Sequence, residues 1–167
     1  QEAVEWRDRS WVKRPSGSGR ELVWFPDPLG ASDCYRAALV DPFLLSASFP
    51  EVDRITAKVA ATRRDRLTAW LPMLRRPHKD GGPGAVRIEI RGIQDSVQTT
   101  EVLGAIDHPS SAAAAVAAIA AEWSLLGLLP SGSWSLGMLD SPLPWLQELE
   151  NRGISAAVYE GISTTQE

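Results

Sequence analysis

A chain of 167 residues, 44% apolar and 23% charged, has the composition of one globular domain with a real core, which excludes wholesale disorder and two ordinary domains. Its formal charge of −4 offers no basic field for phosphates, so a small molecule or a protein is the expected partner, and nucleic acid or anionic membrane is not. The single cysteine, Cys34, excludes an internal disulfide or a cysteine-based zinc cluster and fits a reducing compartment, by default the cytoplasm.

No secretory signal is expected, and the start at Gln1 in place of Met is expected to lie inside a longer protein. From Ala3 to Lys13, Val4 and Trp6 alternate with Glu5 and Arg7, and Trp11 and Val12 follow a polar interruption, which predicts a hairpin-like strand pair. PSGSG at 15–19 is a turn, and ELVWF at 21–25 is a strand stopped by PDPLG. DCYRAALV at 33–40 predicts a short strand into a turn at Asp41 and Pro42, and residues 43–50 fit either a helical turn or a strand. Residues 54–62 set Ile55, Ala57, Val59 and Ala61 against Arg54, Thr56 and Lys58, the pattern of one half-buried strand.

At 63–76 the period changes: Leu67, Trp70, Leu71 and Leu74 recur at helical spacing, with Pro72 expected to kink or shorten the helix. Residues 77–85 form the most loop-like stretch, with three glycines and two prolines. Val86, Ile88 and Ile90 then alternate with Arg87, Glu89 and Arg91, predicting an amphipathic strand with the apolar set inside, and residues 96–107 supply the other half of a hairpin turning at Gly92–Asp95.

The alanine-rich stretch 107–127 predicts a helix with Pro109 in its first turn, Ser110 or Ser111 as cap, and Gly127 as the left-handed residue that ends it. Ala112, Val116, Ile119, Trp123 and Leu126 form one stripe, and the remaining faces carry methyl groups, which predicts a buried helix lying close to a sheet or a second subunit. Its alanine content and Glu122 argue against a membrane span. A connection follows at 130–137, then a helix at 142–153 with Leu143, Trp145, Leu146 and Leu149 on its apolar face and Gly153 as its stop, and a last strand at 154–161. Together these elements predict a single α+β (α/β) domain.

Several residue types suit chemistry, each beside a plainer reading. Asp107 and His108 stand at a strand-to-helix junction, where sites in such folds often fall, although a His-Pro pair there is more often a turn or cap. The helix N-terminus at Ser110 and Ser111, with free N–H groups, suits a substrate carboxylate. Arg87 and Arg91 on one strand face can clamp a carboxylate, or simply face solvent or a dimer partner. His78 in the glycine loop carries less weight, and Cys34 is a nucleophile only if a base is brought to it, a structural thiol being the favoured reading. No metal is expected, because no group has ligand spacing. Neither Gly17 and Gly19 followed by Leu22, nor Gly82 and Gly84 followed by Arg87, completes a dinucleotide fingerprint, so no cofactor-binding residue is expected in this chain.

From Trp24 onward the order of elements resembles the C-terminal domain of the saccharopine dehydrogenase-like family of NAD(P)-dependent oxidoreductases. The segment from Ser110 to Ile154 carries the resemblance through Gly127, Gly137, Pro144, Leu146, Leu149, Arg152, Gly153 and Ile154, and FPDPLGASDCYRA is a weaker match. Where the family has Pro-Glu shortly downstream, this chain has Asp41-Pro42. The resemblance implies a mixed, largely antiparallel sheet covered by helices, a homodimer, and a pocket for an amino-acid-like substrate whose imine or secondary amine is the reacting group. It also implies NAD or NADP held by an N-terminal Rossmann domain outside this chain, without which no hydride can be transferred. The rival is a non-catalytic α/β interaction or regulatory domain, and a third reading is a hydrolase using Cys34 or a serine with His108.

Overall fold

The structure is a computed structural model that describes residues 2–62 and 82–160. The expected helix at 63–76, the part of the glycine loop that contains His78, and the tail after Glu160 lie outside the described residues. Three helices and three antiparallel sheets make up the described fold, an α+β architecture as the sequence pattern predicts. The chain divides into two compact units: Gln1–Trp24, Ala31–Pro77 and Ser131–Pro142 form the first, and Phe25–Gly30, His78–Pro130 and Leu143–Glu167 the second.

The first unit begins with a tight hairpin. Strands β1 (Glu2–Arg7) and β2 (Ser10–Pro15) pair with Trp6 opposite Trp11 and Arg7 opposite Ser10, so only Asp8 and Arg9 turn the chain. Both have positive φ, 49° and 58°, the twist a two-residue hairpin loop requires. Strands β3 (Glu21–Trp24) and β4 (Ala31–Arg36) form a second hairpin. The expected turn at Asp41-Pro42 is instead the start of a helix, α1 (Asp41–Ser48), because proline in a first turn gives up only an N–H that has no helical partner. Pro42 is buried.

The single strand expected at 54–62 is split. Residues Arg54–Ile55 form β5 and pair with β1, and Lys58–Ala60 form β6 and pair with β4, giving sheet orders β2-β1-β5 and β3-β4-β6. Changing sheets at Thr56 and Ala57 breaks the alternation: Ile55 is buried as expected, but Val59 is exposed.

In the second unit, β7 (Gly84–Gln94) and β8 (Val97–Asp107) pair along their whole length. Asp95 and Ser96, at φ 52° and 66°, make the loop, so the turn sits past Gly92, on residue types that tolerate the left-handed region. Strand β9 (Ser155–Glu160) pairs with the other side of β8, for the order β7-β8-β9. Helix α2 (Pro109–Leu125) ends as the sequence predicts: Gly127 has φ 68°, its N–H donates to Ser124 O, and Leu128 N–H donates to Trp123 O. Helix α3 (Leu143–Asn151) repeats the device, with Gly153 N–H donating to Glu150 O and Ile154 N–H to Leu149 O. The two helices meet through an edge-on Trp123–Trp145 contact at 5.1 Å and through Arg152 Nη2, which donates to Glu122 Oε2 at 2.7 Å.

The expectation of a buried α2 is corrected. Ile119 is its one buried residue, Ala112, Val116 and Trp123 are half-buried, and Ala113, Ala117, Ala121, Leu125 and Leu126 are exposed. An exposed alanine methyl forgoes only about 0.8 kcal/mol of burial, and alanine's high helix propensity holds the helix without a second packed face. No helix among the described residues is long and apolar enough to cross a membrane.

Candidate functional site

The strand-to-helix junction of the second unit is built by Pro109. A residue before proline is pushed to extended backbone, and His108, at φ −68° and ψ 123°, is accordingly the N-cap of α2. Ser110 and Ser111 are therefore already inside the first turn, exposed, and do not cap it as expected; no side chain does. Asp107 Oδ1 accepts the backbone N–H of His108 at 2.6 Å. Across the ladder Gly84 faces Asp107, and a Cβ there would fall 2.8 Å from Pro109 Cγ, so glycine is what lets the helix start lie against the end of β7.

Strand β7 alternates as expected but with its faces reversed. Val86, Ile88 and Ile90, expected inside, are 60%, 51% and 52% exposed, whereas Arg87 and Glu89 are half-buried and Arg91 is exposed. The reason is internal charge pairing. Arg87 Nη1 donates to Glu89 Oε2 at 2.6 Å and Arg91 donates to Glu89 Oε1, so the charged face neutralises itself and sits inward at low cost. Burial opposes ionisation of Glu89, but the hydrogen bonds from Arg91 and Arg87, with their charge, outweigh it and hold the carboxyl below its ordinary range.

These contacts also bear on the carboxylate clamp. Arg87 and Arg91 already hold a carboxylate, Glu89 from their own strand. Nor do the expected site residues converge. Asp107 shares the strand parity of Gly84 and Val86, opposite to that of Arg87 and Arg91, so it belongs to the other face of the sheet. Along β7, Arg87 lies roughly 10 Å and Arg91 roughly 23 Å from the Asp107 end, at about 3.3 Å per residue. The structure thus gathers Asp107, His108, Ser110 and Ser111 at one junction and leaves both arginines out.

Cys34 is buried, and that burial pushes its thiol up, with Lys58 opposing, which keeps it protonated and poorly nucleophilic. Cys34 and His108 belong to different units. Among the described residues no three His, Cys, Asp or Glu side chains form a group able to hold a metal ion. One charged centre escaped the sequence reading: Glu5 on β1 is 2% exposed and accepts from Arg36 Nε of β4 at 2.6 Å, with Arg14 Nε at 4.0 Å. No nearby sequence signal marks it, because Glu5 shares a strand face with Ala3, itself buried, while its hydrogen-bonded cation lies 31 positions away. For Glu89 the signal was the Arg-Glu-Arg spacing at 87, 89 and 91, which sets three charges on one face.

Compared with protein-family models and with curated proteins, the chain matches none.

Proposed function

We propose that this chain is a non-catalytic α+β interaction domain that self-associates through the sheet of its second unit. The observation that supports this reading is the outward apolar face of β7. Val86, Ile88 and Ile90 stand side by side in solvent on one strand, a contiguous patch of the kind a partner covers. On the opposite face, Glu89 occupies the arginines that a substrate carboxylate would need. The test is sedimentation equilibrium across a concentration series. A reversible dimer is expected, and a monomer up to the solubility limit overturns the reading.

A second reading is supported by the α2 junction: the substrate-binding and dimerisation domain of a cytoplasmic saccharopine dehydrogenase-like oxidoreductase. The first-turn N–H groups of α2 have no side-chain cap and suit the carboxylate of an amino-acid-like secondary amine. Gly127 and Gly153 end their helices at positions that the resemblance uses. NAD or NADP would be carried by another domain. Calorimetric titration with amino-acid-like secondary amines tests it. No binding of any such amine removes the reading.

A further inference from the structure

The β7–β8 hairpin fixes which backbone groups of β7 face outward. With a two-residue loop at Asp95 and Ser96, the closing pair Gln94 and Val97 exchanges both ladder hydrogen bonds, and pairs alternate from there. Gln94, Gly92, Ile90, Ile88, Val86 and Gly84 therefore bond to β8. The N–H and C=O groups of Ala85, Arg87, Glu89, Arg91 and Ile93 point to the other edge, with which no strand among the described residues pairs. An edge eleven residues long with an apolar face is a template for another strand.

We propose that the occupant is a second copy of this chain, adding its own β7 antiparallel to the first about a two-fold axis through Ile88. The inference rests on the self-association reading and names its contact. A two-fold pairing sets each residue against its mirror position, and the sequence of β7 is complementary to itself in this register. Arg87 faces the partner's Glu89, and Glu89 the partner's Arg87, both through residues whose backbone groups are free to exchange hydrogen bonds. On the apolar face Val86 meets the partner's Ile90, and Ile88 meets its own copy in a non-hydrogen-bonded pair, where side chains come closest.

Neighbouring registers fare worse. An axis at Glu89 sets that carboxylate against itself and Arg87 against the partner's Arg91, like charges directly opposite. An axis at Ile90 pairs Glu89 with the partner's Arg91 but leaves Ile88 facing the partner's Gly92. Of these three axes, the one at Ile88 satisfies backbone, charge and apolar matching together.

Sedimentation equilibrium on the full chain tests this, with far-UV circular dichroism to show that each variant folds. Ile88→Lys brings two ammonium groups together at the axis and should raise the dimer dissociation constant at least about tenfold. Arg87→Glu and Glu89→Arg should each weaken the dimer, and the double exchange should restore it, because it swaps the two members of one cross-axis pair. A double exchange that stays weak overturns this register, since pairing about Ile90 would set the guanidinium introduced at position 89 against the partner's Arg91. Ile88→Cys should form a disulfide between copies under mild oxidation, as non-hydrogen-bonded Cα atoms lie about 4.5 Å apart. A wild-type dimer indifferent to Ile88→Lys and to the exchanges refutes the β7 contact and leaves self-association on another surface. A wild-type monomer removes both.

Discussion

Strands β1 and β7 pose the same problem and solve half of it in the same way. Each alternates apolar with charged residues, each belongs to a hairpin closed by a two-residue loop of positive φ, and each turns its glutamate inward. Glu5 draws its cation from a strand of another sheet, and Glu89 draws two from its own. The apolar sides then diverge. Around β1, Trp6 packs edge-on against Trp11 at 4.9 Å, and Trp11, still 43% exposed, lies 4.4 Å from Phe43 of α1, so a helix covers the aromatic side in part. Around β7, Ile88 and its neighbours remain in solvent. Period two says that two faces differ; which one is inward depends on where the counter-charge is and on what covers the apolar side.

The largest effect comes from removing the counter-charge of the buried side. Glu5→Ala leaves Arg36 enclosed without its carboxylate and should cost about 3 kcal/mol, the low end for a broken buried pair because Arg36 keeps some exposure. Urea unfolding measures it. Replacing both partners, Glu5→Leu with Arg36→Leu, should recover most of the loss, since no charge is then stranded. A single variant within about 0.5 kcal/mol of wild type would mean that β1 does not depend on its counter-charge.

What the sequence made legible was local. Both hairpins, the strand at 21–25 and the helix ends at Gly127 and Gly153 depend on residues within a few positions of one another, and each is present. The orientation of β1 was hidden because Arg36 lies thirty-one residues from Glu5, and the pairing appears only when two sheets are built. The split at 54–62 was hidden for the same reason, since Ile55 and Val59 each alternate correctly and differ only in which strand they join. In α2, composition gave the helix, and the number of neighbours available to cover it set its burial. Of the candidate site, the Asp107–Ser111 cluster was legible as a strand-to-helix junction. The occupation of Arg87 and Arg91 by Glu89 needed a decision on which face of β7 is inward.

A smaller effect is expected at Glu89 and is read by pH. Glu89 ionises more easily in the fold than its ordinary value of 4.5, so the unfolded chain takes up the proton first as acid is added. The stability it contributes is complete above pH 4.5 and is lost as pH falls below that value through the folded one. With Arg91 well exposed the contribution is about 1 kcal/mol. The urea midpoint of the wild type should therefore fall more steeply below pH 4.5 than that of Glu89→Gln. Parallel curves would show that the arginines are not holding an ionised Glu89.

The smallest effect is the most diagnostic of the reversed face. Were Ile88 a core residue, as its alternation predicts, trimming it would remove buried surface and open a cavity at a cost of about 2 kcal/mol or more. With half of its surface in water, Ile88→Thr loses little packing and keeps a β-branched side chain, so monomer stability should stay within about 0.5 kcal/mol of wild type. The comparison must be made below the dimer dissociation constant, because association through β7 would add a concentration-dependent term that the variant weakens. Measured there, a cost near zero leaves the apolar side of β7 free for a partner, whereas a cost near about 2 kcal/mol would mean that this side is covered within the chain.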